Sequence, residues 1–90
     1  MSENILLLHP KDNVGIALKK INKGDKVQGK GVEEFIVLDD IPKSHKTALF
    51  DIARGEEIVK YGEVIAVSSE KILRGQWVHT HNLKSDTWKK

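Results

Sequence analysis

Four short segments of this 90-residue chain are variations on one pattern: isoleucine, two residues, Gly or Ser, a polar residue, one residue, then Val, Ile or Thr. They read INKGDKV from Ile21, IPKSHKT from Ile41, IARGEEI from Ile52 and ILRGQWV from Ile72. The first and third copies lie 31 residues apart, and so do the second and fourth. Glycine supplies the positive φ that a tight turn needs, and a β-branched residue three positions later begins an extended segment. Each copy therefore predicts a turn feeding a strand. The common spacing predicts a duplication, two similar halves wrapped around each other.

The intervening segments agree. NVGIALKKI alternates Val14, Ile16 and Leu18, FIVL reads as a short buried run, and EVIAV after Tyr61-Gly62 is rich in β-formers. Only SSEKIL has the makings of a helical turn, with Ser68 or Ser69 as its cap. Pro10 and Pro42 fall at or just before the start of apolar segments, where a missing N–H costs least. Many short strands with turn glycines between them predict an all-β, barrel-like or clip-like domain over residues 1–83. LKSDTWKK, residues 83–90, shows no strand pattern, so 84–90 is expected to be a tail, with Trp88 either folded back or reserved for a partner.

Composition narrows the function. Ninety residues make one domain with a modest core, too short for most self-contained enzymes. The net charge of +2 comes mainly from Lys84, Lys89 and Lys90, residues 1–45 being neutral, and nearly every lysine has an acidic neighbour. That is not the concentrated basic face of a nucleic-acid binder. The absence of cysteine excludes disulfides and thiolate chemistry and fits a reducing cytoplasm. The apolar run from Ile5 to Leu8 is too short for a signal sequence or a membrane span.

Chemistry-bearing residues concentrate near the C-terminus in GQWVHTHN. In an extended segment Trp77, His79 and His81 would share one face, with Gln76, Val78, Thr80 and Asn82 on the other. Imidazoles two residues apart are close enough to share a metal or an anion, yet a catalytic metal ordinarily takes three protein ligands. H-x-H is also compatible with solvent-facing strand residues. His45, beside Lys46, suits a carboxylate contact or a solvated loop, and Lys60 with Tyr61 suits an anion or a plain strand–turn junction. His9 ends an apolar run, with Asp12 and Asn13 as turn formers.

Together the motifs resemble a known family. HPKDNVGIALKKINKGDKV, DDIPKSHKTALFDIARGEEIVKYGEVIAV and ILRGQWVHTHN resemble, in this order and over about residues 5–83, the small N-terminal domain of the altronate and galactarate dehydratase family, a SAF-type β-clip. Two positions depart from its pattern: Ser44 stands where Gly is usual, predicting a differently shaped turn before His45, and Ala66 replaces another Gly. The resemblance implies a sugar-acid dehydratase in which a large domain or subunit carries most of the active site and uses a divalent metal, usually iron. It implies catalytic or metal-binding roles for His79 and His81, and substrate contacts from His45, Lys46, Tyr61 and Asn82. In the related sulfolactate sulfo-lyases the domain is a separate chain. The expectation is a small subunit, inactive alone, that needs a large partner. The alternatives are a stand-alone sugar-acid-binding module or a sulfo-lyase subunit.

Overall fold

The four repeat segments fold alike. In each, the isoleucine is at most 1% exposed and forms an isolated antiparallel bridge, Ile21 with Ile41 and Ile52 with Ile72. A hydrogen-bonded turn follows, closed by Asp25 N–H to Asn22 O, His45 to Pro42, Glu56 to Ala53 and Gln76 to Leu73 at 2.8–3.0 Å. Its third residue has positive φ, as a type II turn requires. Those residues are Gly24 (+92°), Ser44 (+72°), Gly55 (+85°) and Gly75 (+90°). Ser44 thus adopts the glycine geometry, and the altered turn expected there does not occur. Hydrogen bonds on both sides, Ser44 N–H to Ala17 O and His45 N–H to Pro42 O, hold it in place.

The computed structural model describes residues 3–85. The chain is all-β there: β1 (Ile5–Leu6), β2 (Val14–Ala17), β3 (Lys26–Gly29), β4 (Val32–Ile36), β5 (Lys46–Ala48), β6 (Glu57–Lys60), β7 (Glu63–Ser68), β8 (Trp77–Val78) and β9 (Leu83–Ser85), with one 3₁₀ turn at Thr80–Asn82. All pairing is antiparallel, in a β1-β2-β5-β8 sheet, a β3-β4 hairpin and a β6-β7-β9 sheet. No helix among the described residues is long and apolar enough to cross a membrane.

The duplication is structural. A shift of 31 residues carries β3 onto β6, β4 onto β7 and β5 onto β8. It also carries Ile21, Val27 and Ile41 of one core cluster onto Ile52, Ile58 and Ile72 of the other. Asn4 donates to Lys26 O and accepts from Gln28 N–H, and Asn13 repeats both bonds with Glu57 O and Val59 N–H, all at 2.9 Å. Each half thus borrows an N-terminal strand, β1 for one and β2 for the other. The halves interleave through the β1-β2-β5-β8 sheet.

Three local expectations need correction. SSEKIL forms no helix, because Ser68 ends β7 with its buried hydroxyl donating to Ala53 O at 2.6 Å and accepting from Glu56 N–H. FIVL is not buried throughout; Val37 alone is, since β4 is paired only with β3 and leaves Ile36 and Leu38 facing outward. Leu83–Ser85, read as the start of a patternless tail, pairs with β7 because Ser68, Val67 and Ala66 present a free strand edge. Residues 86–90 of the expected tail, including Trp88, lie outside the described residues.

The turn geometry predicts opposite outcomes at two copies. Ser44→Gly relieves left-handed strain and is expected to stabilise the chain by up to about 1 kcal/mol. Gly75→Ala adds a Cβ 2.7 Å from Ile36 O at φ +90° and is expected to cost about 3 kcal/mol. Urea unfolding measures both; equal effects would contradict a shared turn geometry.

Candidate functional site

One of the four turns is chemically different. In three copies the polar fourth-position side chain accepts the N–H of the residue after the isoleucine: Asp25 Oδ2 from Asn22 (3.0 Å), Glu56 Oε1 from Ala53 (2.8 Å) and Gln76 Oε1 from Leu73 (2.7 Å). In the second copy that residue is Pro42, which has no N–H to give. Its fourth-position residue, His45, is released from turn duty. Its Nδ1 instead accepts the Trp77 indole Nε1–H at 3.1 Å.

Strand pairing then gathers the other rings. β5 and β8 pair with Lys46 opposite Val78 and Thr47 opposite Trp77, which continues to His45 opposite His79. The centroids of His45 and His79 are 4.7 Å apart, and His79 stacks on Trp77 at 5.2 Å and 6°. The extended run expected through residue 82 stops at Val78. The 3₁₀ turn at Thr80–Asn82 folds the chain back so that His81 reaches the same indole, 5.2 Å away and tilted by 41°. Three imidazoles therefore surround Trp77.

Asn82 shapes that turn. Alternation predicted it on the face away from the histidines; it is turned inward, only 3% exposed. Its Oδ1 accepts from His79 N–H at 3.0 Å and its Nδ2 donates to Trp77 O at 2.9 Å. A side chain engaged this way by the backbone holds the segment carrying His79 and His81 rather than facing outward.

Cations collect around the rings. Desolvation lowers the Lys46 pKa, and the nearby Lys60 ammonium lowers it further. Desolvation, then the charges of His45, Lys46 and His81, lower the pKa of His79 below the ordinary 6.5. Among the described residues no carboxylate forms an ion pair with Lys46 or Lys60. An anion placed there would offset their mutual repulsion. Tyr61 adjoins Lys60 in the tight turn between β6 and β7 and is 71% exposed. Its φ of +56° is unusual for a non-glycine residue and is held by the buried Asp12 carboxylate, which accepts from both Tyr61 and Gly62 N–H at 2.8 Å. Tyr61 makes none of the ring contacts around Trp77.

As a metal donor set the cluster is incomplete. No group of three or more His, Cys, Asp or Glu among the described residues is arranged to hold an ion. His79 and His81 are two imidazoles where a catalytic metal ordinarily takes three protein ligands. Two clefts of the described surface run elsewhere, one past Leu7, Phe50 and Arg74, the other past Leu6, His9 and Lys30. That Trp77 organises the rings is not visible in the sequence, where alternation places it only on the same face as His79 and His81. The proline at position 42, out of line with the other three copies, was the available sign that His45 is special.

Comparison with known proteins places this geometry in context. Residues 3–86 match the family model for the altronate/galactarate dehydratase SAF domain. The chain is similar to an altronate dehydratase of Bacillus subtilis, 39% identical over 93% of this chain and 17% of that protein. It is similar to a galactarate dehydratase (L-threo-forming) of Escherichia coli, 37% identical over 79% of this chain and 13% of the relative. A (2R)-sulfolactate sulfo-lyase subunit alpha of Chromohalobacter salexigens is 40% identical over 61% of this chain and 58% of the subunit. The chain thus spans less than a fifth of the length of these dehydratases.

Two measurements check the site. In an NMR titration His79 is expected to protonate below pH 6.5, and Lys46→Met to move its midpoint upward by removing the repulsion of that ammonium. Because the folded state resists protonating His79, its contribution to stability is present above the unfolded-state pKa and is lost as pH falls through 6.5 toward the lowered value. Asn82→Ala is expected to cost about 2 kcal/mol in urea unfolding through buried backbone groups left unpaired, and to shift the ring resonances of both His79 and His81.

Proposed function

From a chain that belongs to the SAF-domain family of the altronate and galactarate dehydratases, we propose a small partner in sugar-acid dehydration, in the cytoplasm, that completes an active site built mainly by a large chain. The supporting observation is the cluster itself: three imidazoles around a half-buried Trp77, beside two lysines that form no ion pair with a carboxylate among the described residues. Such a wall suits a polyhydroxy carboxylate and needs a second surface to enclose it.

Dehydration of an α,β-dihydroxy acid removes the proton α to the carboxylate and expels the β-hydroxyl as water; the resulting enol becomes a 2-keto-3-deoxy acid. In this reading Lys46 and Lys60 hold the carboxylate, and His45 and Tyr61 contact it or the neighbouring hydroxyls. His79, kept neutral by its surroundings, can accept or return a proton, and exposed His81 lies beside it. A divalent metal, iron in this proposal, would polarise the leaving hydroxyl; His79 and His81 are the residues of this chain that would hold it, with the remaining ligands from the large partner.

A second reading, the small subunit of a sulfolactate sulfo-lyase, is favoured by the larger share of that relative which the chain spans. One experiment tests both. The chain and a large dehydratase chain are assayed apart and mixed, on altronate, galactarate and sulfolactate. Product is expected only from the mixture, and His79→Ala or His81→Ala is expected to lower turnover on the order of a hundredfold with folding intact. Unchanged turnover in both variants, or ligand binding by the isolated chain with no effect of any partner, would contradict the proposal.

A further inference from the structure

The Trp77–His45 hydrogen bond fixes more than a position. Indole N–H can only donate, so His45 Nδ1 accepts, and the neutral ring carries its proton on Nε2. Among the described residues no hydrogen bond is made by Nε2. The arrangement exists because Pro42 releases His45 from the bond its counterparts Asp25, Glu56 and Gln76 make. It persists because Trp77 is braced on both sides: its backbone N–H donates to the Asp39 carboxylate at 2.9 Å, and its backbone carbonyl accepts from Asn82 Nδ2. The ring also packs against the core cluster of Ile21, Val27 and Ile41.

We propose that Trp77 is a positioning residue that holds His45 as its Nε2–H tautomer, so that His45 serves the site as a fixed hydrogen-bond donor to a carboxylate or hydroxyl oxygen and not as a base or a metal ligand. A neutral imidazole accepts a proton or binds a metal only through its bare nitrogen, and here that nitrogen is covered by the indole. Donation from Nε2 meets the same polyhydroxy carboxylate that Lys46 and Lys60 attract, which divides the labour among the imidazoles: His45 orients, while proton transfer and metal binding are left to His79 and His81. The choice of substrate rests on the function proposed above; the tautomer does not.

Long-range ¹H–¹⁵N NMR on the isolated labelled chain reads the tautomer without any ligand. Neutral His45 is expected to show a protonated Nε2 and a bare Nδ1. Trp77→Phe, which keeps a ring for stacking but has no N–H, is expected to give a mixture of tautomers, with backbone amide spectra reporting whether the fold survives. If Trp77→Phe does not fold, the wild-type spectrum decides alone: a mixed or Nδ1-protonated His45 overturns the proposal. In the reconstituted pair, Trp77→Phe is expected to raise KM for the acid substrate roughly tenfold, the scale of one hydrogen bond to a charged group, with kcat within about twofold. A lost tautomer with unchanged KM overturns the donor role. Failure to obtain any active pair overturns the function proposed above and leaves the tautomer result standing.

Discussion

Two pairs of isoleucines hold this fold together. Each pair exchanges both backbone hydrogen bonds, Ile21 with Ile41 at 2.9 and 2.7 Å and Ile52 with Ile72 at 2.7 and 2.8 Å. Every one of the four side chains is sealed in a core. With so few residues to bury, a small domain cannot depend on a large apolar interior. It fixes the chain at these four points, and each is followed by a turn whose left-handed residue sends the next strand back toward its partner. Asn4 and Asn13 close the two halves by bridging the strands that the turns launch. The interleaved sheet follows from that geometry.

The site arises where the symmetry fails. Three turns are stitched by their own polar side chain; the one with Pro42 is not, and its histidine turns to Trp77. Antiparallel pairing of β5 with β8 sets His45 against His79, and Asn82 curls the following residues so that His81 joins them. Each step uses a structural rule of the repeat. The departures from the repeat, at Pro42, Trp77 and the 3₁₀ turn, supply the chemistry.

Much of this was legible in the sequence, and for identifiable reasons. The turn-and-strand unit was visible because glycine and β-branched residues have strong local preferences, and the 31-residue spacing gave the two halves directly. The misreadings lie where tertiary context overrides local preference. Ser44 holds a glycine conformation because its N–H is bound to Ala17 O of β2 and the turn closes through His45 N–H to Pro42 O. Ser68 looked like a helix cap but satisfies its hydroxyl across a turn, and Leu83–Ser85 becomes a strand because β7 offers it an edge. At the site, alternation places Trp77, His79 and His81 on one face, but the arrival of His45 depends on cross-strand register and the approach of His81 on the 3₁₀ turn, which one-dimensional alternation does not contain.

In the proposed function this histidine-rich end is one wall of a site completed by a larger chain. Hydrogen–deuterium exchange of the domain, alone and mixed with a large dehydratase chain, tests it most directly. Protection is expected at residues 45–46 and 77–82, deepening when the acid substrate is added. Protection confined to the surface around Phe50 and Leu73, with the histidine segment exchanging as it does in the free chain, would contradict the account.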